Sequence, residues 1–338
     1  TSVGGHVWQK WMKERCGPLK AYHGGTPQKL ECPGVDWPQE PYLRIHRGGS
    51  SQTADEDVVV ALSKLIGTRT VAFVGDSVTN QLYMSLFMAL YRSNHLLMEL
   101  ADHQLQLSPL LANDTTHAVK RLKALRSGSE VESLTPCCPI ITADGGILMF
   151  IGSMKYNASK WDQFLAKQPF DVLVVNYGLH YERDVNYQLL MGSLIHKLDS
   201  HVTNHSGRLA IVRETTAQHF YTFDLSGDYE KRVKLDFDHK TCACVELGNA
   251  TVHNTRNCAL NEVLDQAMAV QLWPVYRMTA NRYNLHCGRK VGKQSKQVGC
   301  DCSHWCYIPT FWDVWFVGLR RAIMSAEARL PTSKGLLA

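Results

Sequence analysis

A serine that could act as a nucleophile ends the segment Gly75-Asp76-Ser77, which follows an apolar run and precedes a helical pattern. There the hydroxyl would lie above the carboxyl end of a strand. The backbone N–H would lie at a helix N-terminus, where the partial positive charge favours a developing anion. Serine is also a common helix N-cap, and the tripeptide alone is consistent with that structural role.

A base and an orienting acid stand near the other end of the chain, in Cys300-Asp301-Cys302-Ser303-His304-Trp305-Cys306. On a loop or a first helical turn, Asp301 can accept a hydrogen bond from one ring nitrogen of His304 while the other nitrogen faces a serine. Three cysteines in this stretch would hold that geometry. The alternative is a thiolate zinc site, although its C-x-C spacing differs from the usual C-x-x-C. Its ligands would be Cys242, Cys244, Cys300 and Cys302, with a nearby histidine.

The elements that must position these groups alternate between short apolar runs and longer helical patterns. Apolar runs occupy residues 70–75, 147–151, 171–176 and 208–213, and continuous apolar runs predict parallel strands covered on both faces. Residues 78–91 and 185–202 have helical spacing, and residues 261–283 are interpreted as a later helix interrupted at Pro274. This order predicts an α/β fold, a three-layer α/β/α sandwich with a mostly parallel sheet.

Three regions are expected along the chain. Residues 1–68 are rich in Gly, Pro, Trp and Cys and show no sustained helical or strand period, which predicts a loop-rich N-terminal subdomain pinned by disulfides. Residues 69–330 form the predicted catalytic domain. Residues 331–338 are expected to be a flexible tail.

The composition limits which partners and which cellular compartment are expected. The 338 residues are 45% hydrophobic and 20% charged, enough for a buried core, and the net charge of +5 is spread along the chain, so nucleic acid is not expected as a partner. Eleven cysteines and four N-x-[ST] acceptors indicate a disulfide-bonded glycoprotein of the secretory pathway, in the Golgi lumen or outside the cell. The odd cysteine count predicts a free thiol or a partner outside this sequence. The acceptors are Asn113, Asn157, Asn204 and Asn249.

The chain begins at Thr1 rather than at Met, so any signal peptide or N-terminal anchor would lie outside this sequence. No apolar run reaches the eighteen or so residues of a membrane span. Membrane association is therefore expected only through such an anchor.

Gly75-Asp76-Ser77 with Gln81 four residues on, together with Asp301-Cys-Ser-His304-Trp-Cys306, resembles the PC-esterase group of SGNH-type (GDSL) proteins. Within this group the trichome-birefringence-like polysaccharide O-acetyltransferases are the most similar. Residues 174–180 resemble the family's strand ending in Asn-x-Gly, and residues 213–220 its Arg-x-x-x-x-x-His-[Phe/Tyr] strand end. Two departures, Asn80 in place of an arginine and residues 307–309 in place of Leu-Pro-Gly, leave the acceptor sugar open.

The resemblance implies an SGNH-hydrolase-like fold and a Ser-His-Asp triad of Ser77 as nucleophile, His304 as general base and acid, and Asp301 as its orienter. It also implies an oxyanion hole and substrate-binding residues, and no metal. The oxyanion donors would be the Ser77 N–H, the Asn176 side chain and the Gly152 N–H, with Gly145 or Gly146 as alternatives to Gly152. The candidate sugar contacts are Arg213, His219 and Trp305. A solvent-facing arginine and a core histidine or tryptophan are the more common roles of such residues.

The activity so implied is transfer of an acetyl group from a donor, through an acetyl-serine, to a polysaccharide or oligosaccharide hydroxyl. With water as the acceptor, the same triad would make a carbohydrate acetyl esterase. A third hypothesis is an inactive carbohydrate-binding cell-wall glycoprotein. No cofactor is expected beyond the acetyl donor, acetyl-CoA or an upstream acetyl carrier, and no phosphate-binding glycine loop indicates direct binding of CoA.

Overall fold

The computed structural model describes residues 57–97, 120, 137–167, 170–181, 186–233, 244–247, 255–290 and 299–330. Most of the predicted N-terminal subdomain and the predicted tail lie outside these residues. The central feature is a seven-stranded mixed sheet in the order β2-β3-β4-β1-β5-β6-β7. Its strands are β1 (Thr70–Gly75), β2 (Leu96–Leu97), β3 (Cys137–Thr142), β4 (Ile147–Gly152), β5 (Val172–Val175), β6 (Leu209–Arg213) and β7 (Val270–Trp273).

Five adjacent strands, from β4 across β1, β5 and β6 to β7, run parallel, and β2 and β3 add an antiparallel edge beside β4. The predicted α/β class with a mostly parallel sheet is therefore confirmed. All six residues of β1 are buried, as expected for a central strand that is covered on both faces.

Helices cover both faces of the sheet. They are α1 (Val58–Ile66), α2 (Ser77–Arg92), α3 (Ala158–Lys167), α4 (Tyr187–Thr203), α5 (Thr255–Leu264), α6 (Tyr276–Ala280) and α7 (Pro309–Arg329). Val71 and Phe73 of β1 pack into the core with α1, α2 and α7, whereas Ala72 and Val74 pack into the core with α3, α4 and α5. This division follows the two-residue period of a strand. None of the helices in the described part of the chain is long and apolar enough to span a membrane.

A separate two-stranded antiparallel ribbon, β8 (His286–Lys290) and β9 (Gly299–Trp305), leads into α7. The sequence prediction did not include this ribbon or the antiparallel edge formed by β2 and β3. Antiparallel strands of this kind lack the long apolar runs that identified the central strands.

Two stretches differ from the sequence prediction. The helix predicted over residues 261–283 is wrong in part, because α5 ends at Leu264 and β7 occupies the middle of that stretch. The four residues of β7, Val-Gln-Leu-Trp, are too few for their period to separate strand from helix. Inside the predicted loop-rich region, α1 forms with Asp57 as N-cap, whose side chain accepts from the Val59 N–H at 2.9 Å, and packs into the core.

Two helical glycines provide a matched test of this packing. A Cβ on Gly318 of α7 would lie 2.6 Å from Nε1 of the buried Trp273, whereas a Cβ on Gly192 of α4 would meet only Val263, at 3.8 Å. We expect Gly318→Ala to lower the free energy of unfolding by about 1–3 kcal/mol through overpacking. Gly192→Ala should raise it by about 0.5–1 kcal/mol through helix propensity. Urea denaturation measures the free energy of unfolding of both variants. Equal changes in the two variants would contradict the close contact between Gly318 and Trp273.

Candidate active site

The serine lies where β1 passes into α2. Asp76 is the N-cap of α2, and its Oδ1 accepts hydrogen bonds from the N–H groups of Val78, at 3.0 Å, and Thr79, at 3.2 Å. Ser77 is therefore the first helical residue, and the N-cap role belongs to its neighbour. Gly75 must be a glycine, because a Cβ there would lie 2.5 Å from Thr79 Oγ1 and 2.7 Å from the Asn176 carbonyl oxygen.

The acid and the base lie on β9, rather than on the loop or helical turn that was predicted. The ladder pairs Gly288 with Asp301 and His286 with Trp305, so β9 advances four residues while β8 advances two. A bulge of this kind bends a strand and redirects its side chains. It allows Asp301 and His304, three residues apart, to lie on the same side.

A continuous hydrogen-bond chain joins the three side chains. The Ser77 hydroxyl donates to Nε2 of His304 at 2.7 Å, and the Nδ1–H of His304 donates to the Asp301 carboxylate at 2.9 Å from each oxygen. A carboxylate can only accept, so the proton of a neutral His304 ring lies on Nδ1 and Nε2 is the acceptor. Asp301 Oδ1 also accepts from the His304 backbone N–H at 3.1 Å. This arrangement can remove the proton from a serine hydroxyl.

Gln81, one helical turn after Ser77, fastens β9 to α2. Its Nε2 donates to the Trp305 carbonyl at 2.8 Å, and its Oε1 accepts from the Trp305 N–H at 3.0 Å. Both polar groups of one backbone residue are thus held by one buried amide. The motif resemblance included Gln81 but assigned it no role, because its partner is 224 residues away in the chain.

The predicted oxyanion donors lie at the carboxyl ends of three neighbouring strands. Gly152 ends β4 and is paired with Gly75 at the end of β1, whereas Asn176 follows β5. Nδ2 of Asn176 donates to the Arg213 carbonyl at 2.9 Å, which fixes the amide orientation. The alternatives Gly145 and Gly146 precede β4, at the other end of that strand from Gly152, and so do not reach Ser77.

The predicted substrate contacts do not fit the structure, because Arg213, His219 and Trp305 have at most 1% of their surface exposed. Arg213 donates to Thr79 Oγ1 at 3.1 Å and to the Glu214 carbonyl at 3.2 Å. Its burial lowers the pKa of the guanidinium to about 10, and the charge of Asp76 acts in the opposite direction. These three side chains lie behind the triad and support it.

The zinc alternative is weakened by a disulfide between Cys244 and Cys302, which removes two of the four candidate thiolates. No group of three or more His, Cys, Asp or Glu side chains that could hold a metal ion occurs among the described residues. Cys306 is also in a disulfide, and Cys258 carries a free thiol.

Two of the four glycosylation acceptors, Asn157 and Asn204, are exposed. Asn113 and Asn249 lie outside the described residues.

Comparison of the chain with models of known protein families gives no match, and comparison with curated proteins gives none either. Function is therefore inferred from the hydrogen-bond geometry around Ser77 and from the motif resemblance.

The contact between Gln81 and Trp305 generates a stability prediction. Gln81→Ala would leave a buried N–H and a buried carbonyl of Trp305 without these partners, at a cost of about 1–3 kcal/mol for each group. We expect the free energy of unfolding, measured by urea denaturation, to fall by about 2–4 kcal/mol. The matched control is Gln188→Ala on the exposed face of α4, which should change it by less than about 0.5 kcal/mol. A similarly small change for Gln81→Ala would contradict the role given to this amide.

Proposed function

We propose that the chain is a serine-dependent O-acyltransferase that moves acetyl groups to hydroxyls of a polysaccharide, on an SGNH-hydrolase-like fold. The observation that carries this proposal is the hydrogen-bond chain from Ser77 through His304 to Asp301. The acetyl group and the polysaccharide acceptor come from the resemblance of the Gly-Asp-Ser and Asp-Cys-Ser-His-Trp-Cys segments to the polysaccharide O-acetyltransferases. A location in the secretory pathway is part of the proposal. The exposed Asn157 and Asn204 and the disulfide between Cys244 and Cys302 support it.

In the first half of the reaction, Ser77 Oγ attacks the carbonyl carbon of the acetyl donor while its proton passes to Nε2 of His304. Asp301 holds the resulting imidazolium through Nδ1. The carbonyl oxygen becomes an oxyanion, for which the Ser77 N–H, the Gly152 N–H and the second hydrogen of Asn176 Nδ2 are the proposed donors. The tetrahedral intermediate collapses, the donor oxygen leaves with the proton of His304, and Ser77 carries the acetyl group.

In the second half, Nε2 of His304 takes the proton of an acceptor hydroxyl, whose oxygen attacks the acetyl-serine. Collapse of this second intermediate returns the proton to Ser77 Oγ and releases the acetylated acceptor. A sugar hydroxyl gives transfer and water gives hydrolysis, and the triad performs the same steps in both cases. The choice between transfer and hydrolysis depends on how well the site excludes water while Ser77 carries the acetyl group.

The proposal is tested by replacing the nucleophile. Purified wild type, Ser77→Ala and Ser85→Ala are given an acetyl ester donor and a panel of neutral and acidic oligosaccharides, and free acetate and acetylated oligosaccharide are measured by mass. Ser85 lies in the same helix, is buried, and its hydroxyl has no partner within the described part of the chain, so it is the matched control. We expect Ser77→Ala to lose at least about 10³-fold in rate and Ser85→Ala to keep the wild-type rate.

The products of the wild type decide between the two acceptors. Acetylated oligosaccharide in excess of free acetate supports the transferase, and free acetate alone would make the protein an esterase. Absence of both products with every donor would favour the carbohydrate-binding protein without activity.

The orienting role of Asp301 gives a separate prediction. In Asp301→Asn an amide N–H would face Nδ1 of His304, so the ring proton would move to Nε2, which could no longer accept from Ser77. We expect the acyl-transfer rate to fall by about 10³–10⁴-fold while the protein stays folded. Asp162→Asn, on the exposed face of α3, is the control and should retain the wild-type rate. A wild-type rate for Asp301→Asn would argue against a triad.

A further inference from the structure

A pair of histidines, His219 and His286, lies behind the triad and is not used by the proposed chemistry. Nδ1 of His219 lies 2.6 Å from Nε2 of His286. The outer nitrogen of each ring faces a backbone carbonyl: Nε2 of His219 is 2.8 Å from the Ala280 oxygen, and Nδ1 of His286 is 2.8 Å from the His304 oxygen. The pair therefore connects α6 to the backbone of the candidate base.

The protons of the pair can be counted. A carbonyl oxygen only accepts, so the two outer contacts need an N–H from each ring, and the central contact needs one more. Two neutral rings carry only two N–H groups for these three contacts. Burial disfavours an additional charge, because desolvation lowers the pKa of His219 to about 4 and that of His286 to about 3. Both rings are therefore neutral at neutral pH, and one outer contact has no proton.

The surroundings decide which contact keeps its proton. Burial lowers the pKa of His286 most and the charge of His219 lowers it further, whereas the hydrogen bond to the His304 carbonyl and the charge of Asp301 raise it. The ring of Tyr283 packs against His219, and its centroid lies 6.5 Å away. Asp301 is paired with Gly288, two residues from His286, so its negative charge is on the His286 side of the pair. This charge favours a proton at the end of the pair that faces His304.

We propose that His286 is a positioning residue for His304 and that His219 fixes its tautomer. The Nδ1–H of His219 donates to Nε2 of His286, which leaves the proton of His286 on Nδ1, where it donates to the His304 carbonyl. The ring of His286 is held for this purpose by stacking on Trp305, with ring centroids 4.0 Å apart and an interplanar angle of 28°. Nε2 of His219 is left without a proton opposite Ala280, and it gains one only in acid.

This inference rests on the proposed function, because a fixed His304 backbone matters for the rate only if His304 is the base of the reaction. Gln81 holds the backbone of Trp305 from the α2 side, and His286 holds the adjoining carbonyl of His304 from the other side. The imidazole of His304 then projects from a backbone that is restrained on both sides. A displacement of about 1 Å in a catalytic group can reduce a rate about a hundredfold.

The kinetic test uses labelling of Ser77 by a fluorophosphonate at pH 8, where no acceptor or acetyl donor is needed. Ser77 Oγ bonds to phosphorus, the P–F bond breaks, fluoride leaves and the serine proton passes to His304. Three variants separate the contacts of His286. His286→Phe keeps a stacked ring without nitrogens, His286→Asn restores an N–H near the position of Nδ1, and His286→Gln places one near the position of Nε2. His196→Phe, on the exposed face of α4, is the control.

We expect the labelling rate to fall by about tenfold to hundredfold in His286→Phe and His286→Gln, and His286→Asn to recover most of it. The control should label at the wild-type rate. Equal rates for His286→Phe and wild type would overturn the positioning role, and so would equal losses in the Asn and Gln variants. If wild-type Ser77 is not labelled at all, the proposed function fails.

The tautomers are tested independently of any activity. In ¹⁵N-labelled wild type at pH 8, long-range ¹H–¹⁵N spectra report which ring nitrogen of each histidine carries its proton, with His219→Phe and His286→Phe used for assignment. We expect both rings to carry the proton on Nδ1. A proton on Nε2 of either ring would overturn the assignment.

Discussion

The amide of Gln81 holds both polar groups of the Trp305 backbone, and the two ends of the candidate site meet through these two hydrogen bonds. Ser77 begins the helix that carries Gln81, and His304 directly precedes Trp305. The distance of 2.7 Å between Ser77 Oγ and Nε2 of His304 therefore depends on a contact one helical turn away. If this contact were absent, β9 could shift relative to α2, and the serine would lose its base.

The buried cores on both faces of the sheet hold the elements that make this contact in fixed positions. β1 ends below Ser77, and its alternate side chains enter two different cores, so the strand cannot move without opening one of them. On the other side, the ring of Trp305 is enclosed by His286 and Phe311 and has no exposed surface. Behind the triad, the buried Arg213 donates to the Thr79 hydroxyl and to the Glu214 carbonyl, so it serves positioning rather than recognition.

Much of the fold, and the three side chains of the hydrogen-bond chain from Ser77 through His304 to Asp301, could be predicted from the sequence, because both leave local patterns. Continuous apolar runs identified four of the five parallel strands, and the apolar run before Gly75-Asp76-Ser77 placed the serine at a strand end. That Ser77 and His304 would lie close together was predicted from a chemical requirement, since a nucleophilic serine needs a base. It did not come from any spacing in the chain.

The features that the sequence did not predict depend on contacts between segments that are distant in the chain. Such contacts leave no local pattern of residue types. The sequence leaves Arg213 and His219 open between sugar contact and a structural role, and their burial decides for the structural one. Arg213 packs on Trp315 of α7, and the His219 N–H donates to the Cys302 carbonyl of β9. The bulge that brings Asp301 beside His304 is visible only in the pairing of β9 with β8. Strand β7 has only four residues, too few for their period to distinguish a strand from a helix.

The most direct test of the account is to trap the acyl-enzyme. Wild type is mixed with an acetyl ester donor, quenched in acid within seconds, and measured as intact protein and as peptides. We expect a gain of about 42 Da, one acetyl group, on the peptide that contains Ser77 and at that residue. An acetyl group found elsewhere, or a donor consumed with no adduct under any quench time, would contradict a Ser77 nucleophile activated by His304.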